Sequence, residues 1–163
     1  MGQLFKKLSA ASKPYEVAVG RTLGEGSKYK YIEEINVPDY DVFLSGSNKN
    51  VKVEVKVHAG ADSCGSHYPT MCVEIKEYSY RSNKMEPSHW LTAPFNVIAH
   101  VDKSMNTMHL YNGVIFKDWA LARKHTARKA KWANTMFITS PWINPEAGYL
   151  MTLPFSSGSL TNK

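Results

Sequence analysis

The sequence predicts a mixed α/β domain, a central mixed sheet of about five strands flanked by helices, and three observations carry that expectation. Val51-Lys52-Val53-Glu54-Val55-Lys56-Val57 alternates apolar and charged residues with period two, as a strand with one buried face does. Ile115, Trp119, Ala122 and Thr126 recur at helical spacing, which predicts a long amphipathic helix over 114–132. Ser45-Gly46-Ser47-Asn48-Lys49-Asn50 has hairpin-turn chemistry and stands directly before the alternating run.

The other elements follow in chain order. Tyr15–Leu23 suits a helix with Pro14 in its first turn and Gly24 as its stop. Lys28–Val37 reads as a strand ended by Pro38, and Asp41–Leu44 as a second, leading into the turn. In the alternating strand the valines are expected inward and the charges outward. His58–Pro69 is a Gly/Ser/His-rich loop, and Met71–Tyr78 returns as a strand. Phe95–Val101 and Thr107–Tyr111 are expected to pair as a hairpin, and Met136–Thr139 and Leu150–Leu153 to add two short strands.

The chain has 163 residues, 43% hydrophobic and 12% aromatic, which suits one domain. We read that domain as 14–155, after an N-terminal arm over 1–13, mobile or a short helix, and before a loose tail over 156–163. A chain of this size buries roughly 70% of its unfolded surface, so it needs no disulfide or metal staple. No apolar run is long enough to span a bilayer, and no apolar stretch follows Lys6-Lys7 as a signal peptide requires. Lys6 stands where an N-myristoylation motif needs Ser or Thr. The expectation is a soluble, cytoplasmic protein without a membrane partner.

Lys and Arg number 20 against 14 Asp and Glu, for a net charge of +6, which favours a polyanionic partner. Lys117, Arg123, Lys124, Arg128, Lys129 and Lys131 stand between Ile115 and Trp132 with only Asp118 opposing them. On the expected helix, Lys117, Lys124, Arg128 and Lys131 project opposite its apolar stripe. This basic ridge suits a nucleic-acid backbone, although a solvated helix face has the same composition.

The chemistry-bearing stretch is Asp41-Val42-Phe43-Leu44, the turn, then Val53-Glu54-Val55-Lys56. Pairing through the turn brings Asp41 beside Glu54, and period two puts Glu54 and Lys56 on one face. Two carboxylates so placed make an oxygen site suited to Mg²⁺, with a lysine positioned to orient water against a phosphate. Val73-Glu74-Ile75-Lys76 repeats the pattern, but Asp41 is far from it in sequence, so it reads as structural.

This arrangement resembles the PD-(D/E)XK nuclease superfamily, the restriction-endonuclease-like fold. The resemblance rests on Pro38-Asp39, Asp41-Val42-Phe43-Leu44 and Val53-Glu54-Val55-Lys56, with Glu16 on the preceding helix. It implies a core running helix, three strands, helix, strand. It further implies Asp41, Glu54 and the Val55 carbonyl as ligands of Mg²⁺ or Mn²⁺, Lys56 as the water-orienting residue and Glu16 as the completing carboxylate. Asp39 stands at an acceptable distance too; Asp41 is preferred because strand hydrophobics follow it directly. The later portion is similar to small phage and bacterial relatives, with Glu74 on a second strand and a polar segment over Ser88–Ala93. It departs from them at Thr70-Met71, where a Gly-Asn turn is expected, and at Asn96, where an acidic residue is expected. The implied activity is endonucleolytic hydrolysis of DNA with structure or weak sequence selectivity, by a chain that acts as a homodimer when it cuts both strands.

Two rival readings use other residues. A protein on the same fold without catalysis would use the basic helix for DNA or RNA attachment alone. His58, Cys64, His67 and Cys72 offer two imidazoles and two thiolates to a structural Zn²⁺ in an interaction module, at a spacing that matches no standard finger. Cys72 opens a strand, where a buried free cysteine is common. His89, His100 and His109 read as satisfied histidines in or near strands.

Overall fold

The valine-rich run becomes an internal strand, and its neighbours explain why. The structure, a computed structural model, describes residues 2–25, 27–33, 39–58, 70–129 and 135–156, with side chains from Ser12 onward. In chain order the elements are α1 (Gly2–Gly24), β1 (Lys30–Ile32), β2 (Val42–Ser45), β3 (Val51–His58), β4 (Thr70–Ser79), β5 (Lys84–Pro87), β6 (Val97–Asp102), β7 (Thr107–Asn112), α2 (Gly113–Ala122), β8 (Arg128–Lys129), β9 (Thr135–Pro141) and β10 (Tyr149–Pro154). Short 3-10 turns stand at His89–Leu91, Lys124–Thr126 and Pro145–Ala147.

Among the described residues two sheets replace the expected single one. Six strands in the order β1-β2-β3-β6-β7-β10 form the larger, and four in the order β5-β4-β9-β8 form the smaller. All described pairings are antiparallel except β3 with β6, where Glu54 stands level with Ile98 and Lys56 with His100. The large sheet is covered on both sides. Val42, Val53, Val55, Ala99 and Val101 pack with Val19 of α1 on one face. On the other, Ile98 and Tyr111 pack with Val73 and Ile75 of β4, Ile138 of β9, and Phe116 and Trp119 of α2.

Several expectations are corrected. Helix α1 begins at Gly2, so the N-terminal stretch takes the helical alternative and is continuous with Tyr15–Leu23, with Pro14 in the helix interior rather than its first turn; Leu, Lys, Ala and Gln before Pro14 are good helix formers. Residues 34–38 of the first expected strand lie outside the described residues. Glu54 is buried, 9% exposed, rather than outward, because the smaller sheet covers the face that the alternation assigned to solvent. Met71–Tyr78 does form a strand, but in the smaller sheet, so Glu74 is not on a strand adjacent to β3. Cys72 is exposed. The hairpin of Phe95–Val101 with Thr107–Tyr111 is present as β6 and β7. The two late strands, β9 and β10, join different sheets.

The expected helix over 114–132 is ten residues long and ends at Ala122. Its buried stripe is Phe116, Trp119 and Ala120, whereas Ile115 is exposed. The Asn112 side chain caps it by accepting the Ile115 N–H at 3.0 Å. Beyond Ala122 the chain makes a 3-10 turn and then β8, so the basic residues do not form a helical ridge. No helix of the described residues is long and apolar enough to cross a membrane.

Candidate active site

Two close approaches set the frame. A Cβ on Gly20 would lie 2.3 Å from the Tyr31 ring, so glycine is what lets β1 rest on α1, the helix that carries Glu16. A Cβ on Gly46 would lie 2.3 Å from the Lys49 carbonyl, so glycine also permits the tight β2–β3 connection. That connection sets Val42 opposite Val53 and extends the register to Asp41 opposite Glu54.

Strand β2 stops where β3 continues, and Asp41 fills the vacancy. Its N–H donates to Val53 O at 2.9 Å, and its Oδ2 accepts the Val55 N–H at 2.8 Å. The carboxylate thus replaces the carbonyl that a longer β2 would have offered. Odd-numbered residues of β3 turn their backbone groups towards this side, so the Val55 carbonyl faces the same space. The Asp41 and Glu54 carboxyls are close enough for each to shift the ionisation of the other. Lys56 Nζ lies 3.4 Å from Glu54 Oε1, with its side chain 34% exposed. Glu16 approaches from α1 and accepts the Ser12 hydroxyl at 3.0 Å.

Packing acids together in a partly dry space costs ionisation energy. Burial, then the nearby Asp41 and Glu16 charges, push the Glu54 carboxyl up to about 7 against the pull of Lys56. Burial raises Asp41 too, opposed by the Val55 N–H and the Lys56 and Lys13 ammonium groups. Burial and Asp41 raise Glu16, while Ser12, Lys13 and Lys56 act the other way. Lys13 is a site residue that the sequence reading missed; its place one helical turn before Glu16 is the signal that would have found it.

Behind Lys56 stand two more unforeseen neighbours. His58 Nε2 and His100 Nδ1 are 2.9 Å apart, and His100 is level with Lys56 across the β3–β6 pair. Burial holds His58 down at about 4 and His100 well below its ordinary value, and the Lys56 charge acts in the same direction on both. Both rings are therefore neutral near pH 7, one donating its N–H to the other. His58 thus belongs to β3 and this pair rather than to a loop. His109, also buried, meets Thr152 Oγ1 at 2.8 Å. His89, exposed on a 3-10 turn, meets Asp39 at 3.5 Å. Glu74 accepts the Ser88 hydroxyl at 2.8 Å.

Cys64 and His67 lie outside the described residues. Among the described residues no group of three or more His, Cys, Asp or Glu side chains is gathered tightly enough to hold a metal ion. The Asp41–Glu54 pair still suits Mg²⁺, which needs only one or two carboxylates and keeps several waters.

The six basic candidates separate into different roles. Lys117 Nζ donates to the Ala93 carbonyl and sits 4.0 Å from the Phe95 ring centre, so it ties α2 to the chain before β6. Arg123 lies over Trp119, 4.9 Å from the ring centre, and meets Glu146 at 3.4 Å. Lys124, Arg128 and Lys129 are exposed, the last two on the edge strand β8. Lys131 lies outside the described residues.

Comparison of the chain with protein-family models, with curated proteins and with solved structures returns no match.

Proposed function

We propose that this chain is a Mg²⁺-dependent nuclease of restriction-endonuclease-like fold, hydrolysing DNA phosphodiester bonds as an endonuclease with structure or weak sequence selectivity. The observation that carries the reading is the junction of β2 with β3. Asp41 is locked by the Val55 N–H beside Glu54, with Lys56 next to both and Glu16 brought in from α1. A helix followed by three antiparallel strands, with β6 parallel to the third, agrees with the order the resemblance implies. Between β3 and β6 the described residues hold β4 and β5 where that order has a helix.

Asp41, Glu54 and the Val55 carbonyl would hold Mg²⁺ or Mn²⁺, which supplies Lewis-acid polarisation of a phosphoryl oxygen. The chain's own groups do the rest. Lys56, tethered through Glu54, presents N–H donors to a phosphate oxygen or to the attacking water. Glu16, held by Ser12, offers an acceptor that orients water from the helix side. Burial keeps these charges in a low-dielectric setting, where each interaction with phosphate is strengthened. Lys124, Arg128 and Lys129 would neutralise flanking phosphates.

The test is cleavage of supercoiled plasmid and of branched duplex with and without Mg²⁺ or Mn²⁺. Metal-dependent nicking or linearisation is expected. Salt-sensitive binding with no cleavage under either metal would overturn the enzymatic reading in favour of a binding protein.

A further inference from the structure

The register of the outer strands assigns each of their side chains to one face of the large sheet. Tyr31, Leu44 and Val51 form one row across β1, β2 and β3, and Ile32, Phe43 and Lys52 form the next. Tyr31 lies against Gly20 of α1, so the first row faces the helix. Period two turns the second row to the opposite face, and Lys30, two residues before Ile32, goes with it. Glu54 follows Lys52 by two residues and shares that face, about 7 Å further along β3. The second row therefore leads up to the candidate site.

Cover on this face is uneven. At β6 the smaller sheet and α2 fully bury Ile98, which is level with Glu54. Towards the edge Ile32, Phe43 and Lys52 are half-buried and Lys30 is exposed. Among the described residues Ile32 and Phe43 belong to neither hydrophobic core. Tyr40 stands beside them, its ring centre 5.9 Å from that of Phe43 and 5.4 Å from Lys52 Nζ. Asn96 holds Lys52 from the β6 side: its Oδ1 accepts the Lys52 N–H at 2.8 Å, and its own N–H donates to the Lys52 carbonyl at 2.9 Å. Lys49 is exposed in the β2–β3 turn. Two acids nearby in sequence are engaged: Glu33 meets Arg21 at 2.8 Å, and Asp39 meets His89 at 3.5 Å.

We propose that this flank is a stacking platform for an unpaired DNA strand, with Phe43 and Tyr40 holding its bases and Lys30, Lys49 and Lys52 its phosphates. Rings and ammonium groups stand together on one open face, and a single strand offers bases and phosphates in return. The charge here is positive, so it attracts an acidic polymer and repels a second copy of a chain whose net charge is +6. A duplex keeps the faces of its bases within its own stack and cannot lend them to these rings. An apolar peptide would cover Ile32 and Phe43 but leave three ammonium groups without counter-charge. The platform deepens the nuclease reading by naming its substrate as DNA with an unpaired flank. Delivery of that strand to Asp41 and Glu54 rests on that reading, whereas the platform itself does not.

Fluorescence anisotropy of the full chain in EDTA tests this, with a labelled oligothymidylate of about 20 nucleotides and a blunt duplex of the same length as probes. The wild type should bind the single strand at least about tenfold more tightly than the duplex. Phe43→Leu and Tyr40→Leu keep an apolar side chain but remove the ring. Each should weaken single-strand binding at least about fivefold and leave duplex binding unchanged, with folding checked by circular dichroism. Phe43→Tyr, which keeps a ring, should retain the wild-type affinity. Lys30→Gln should lower the salt slope of single-strand binding by about 0.7. Equal affinity for the two probes overturns the proposal, as does wild-type single-strand affinity in both leucine variants. A protein with this preference that cuts no DNA under Mg²⁺ or Mn²⁺ would uphold the platform and reject the nuclease reading. Metal-dependent cutting without the preference would do the reverse.

Discussion

Replacing Glu54 by glutamine should stabilise the metal-free protein above neutral pH and leave it unchanged in acid. The folded protein holds the Glu54 proton up to about 7, against an ordinary value of 4.5. A raised carboxyl contributes stability that is complete below 4.5 and lost as pH rises through 7. At 1.36 kcal/mol for each pKa step that loss is about 3 kcal/mol. Glutamine avoids it, and that figure already includes the attraction of Lys56 for the ionised carboxyl. The gain of about 3 kcal/mol corresponds to a Tm roughly 6–12 °C higher at alkaline pH for a domain of this size. Thermal melts in EDTA, from about pH 4.5 to about pH 8.5, give the comparison, and Mg²⁺ should raise the Tm of the wild type alone. Parallel Tm–pH curves for the two proteins, or a variant less stable than wild type in alkali, would refute the buried acid pair.

Other substitutions separate structure from chemistry. Asp41→Asn keeps an acceptor for the Val55 N–H, whereas Asp41→Ala strands that amide and should cost about 1–3 kcal/mol in urea unfolding, with cleavage lost in both. His58, held at about 4 against 6.5, gives stability present above 6.5 and lost as pH falls towards 4, about 3 kcal/mol in all; His58→Gln should flatten acid unfolding over that window. Arg128→Ala and Lys129→Ala should each lower DNA affinity and reduce the salt slope by about 1, measured by fluorescence anisotropy. Lys117→Met should leave that slope unchanged and lower stability, since its ammonium holds the Ala93 carbonyl.

The parts of this protein set by neighbours in sequence were legible, and those set by distant neighbours were not. The turn before Val51 and the period of the strand place Asp41 opposite Glu54, which needs only local pairing rules. The burial of Glu54 depends on β4, β9 and α2 covering its face, and no pattern within 51–57 records that. The basic stretch failed for a related reason. Spacing at three and four suggested one helix through 132, but Arg123 folds back on Trp119 and Glu146, and the chain then turns to pair Arg128 and Lys129 with β9. The His58–His100 contact joins residues on strands that are parallel and far apart in sequence, a pairing that alternation alone cannot register.

The cleavage rate of wild type beside Glu54→Gln and Lys56→Ala, on one supercoiled plasmid with Mn²⁺ and with folding checked by circular dichroism, tests the central claim most directly. The account predicts metal-dependent cutting by the wild type and at least ~100-fold slower cutting by each folded variant, as expected when a ligand or a water-orienting group is removed. Cutting at wild-type rate by either variant would contradict it.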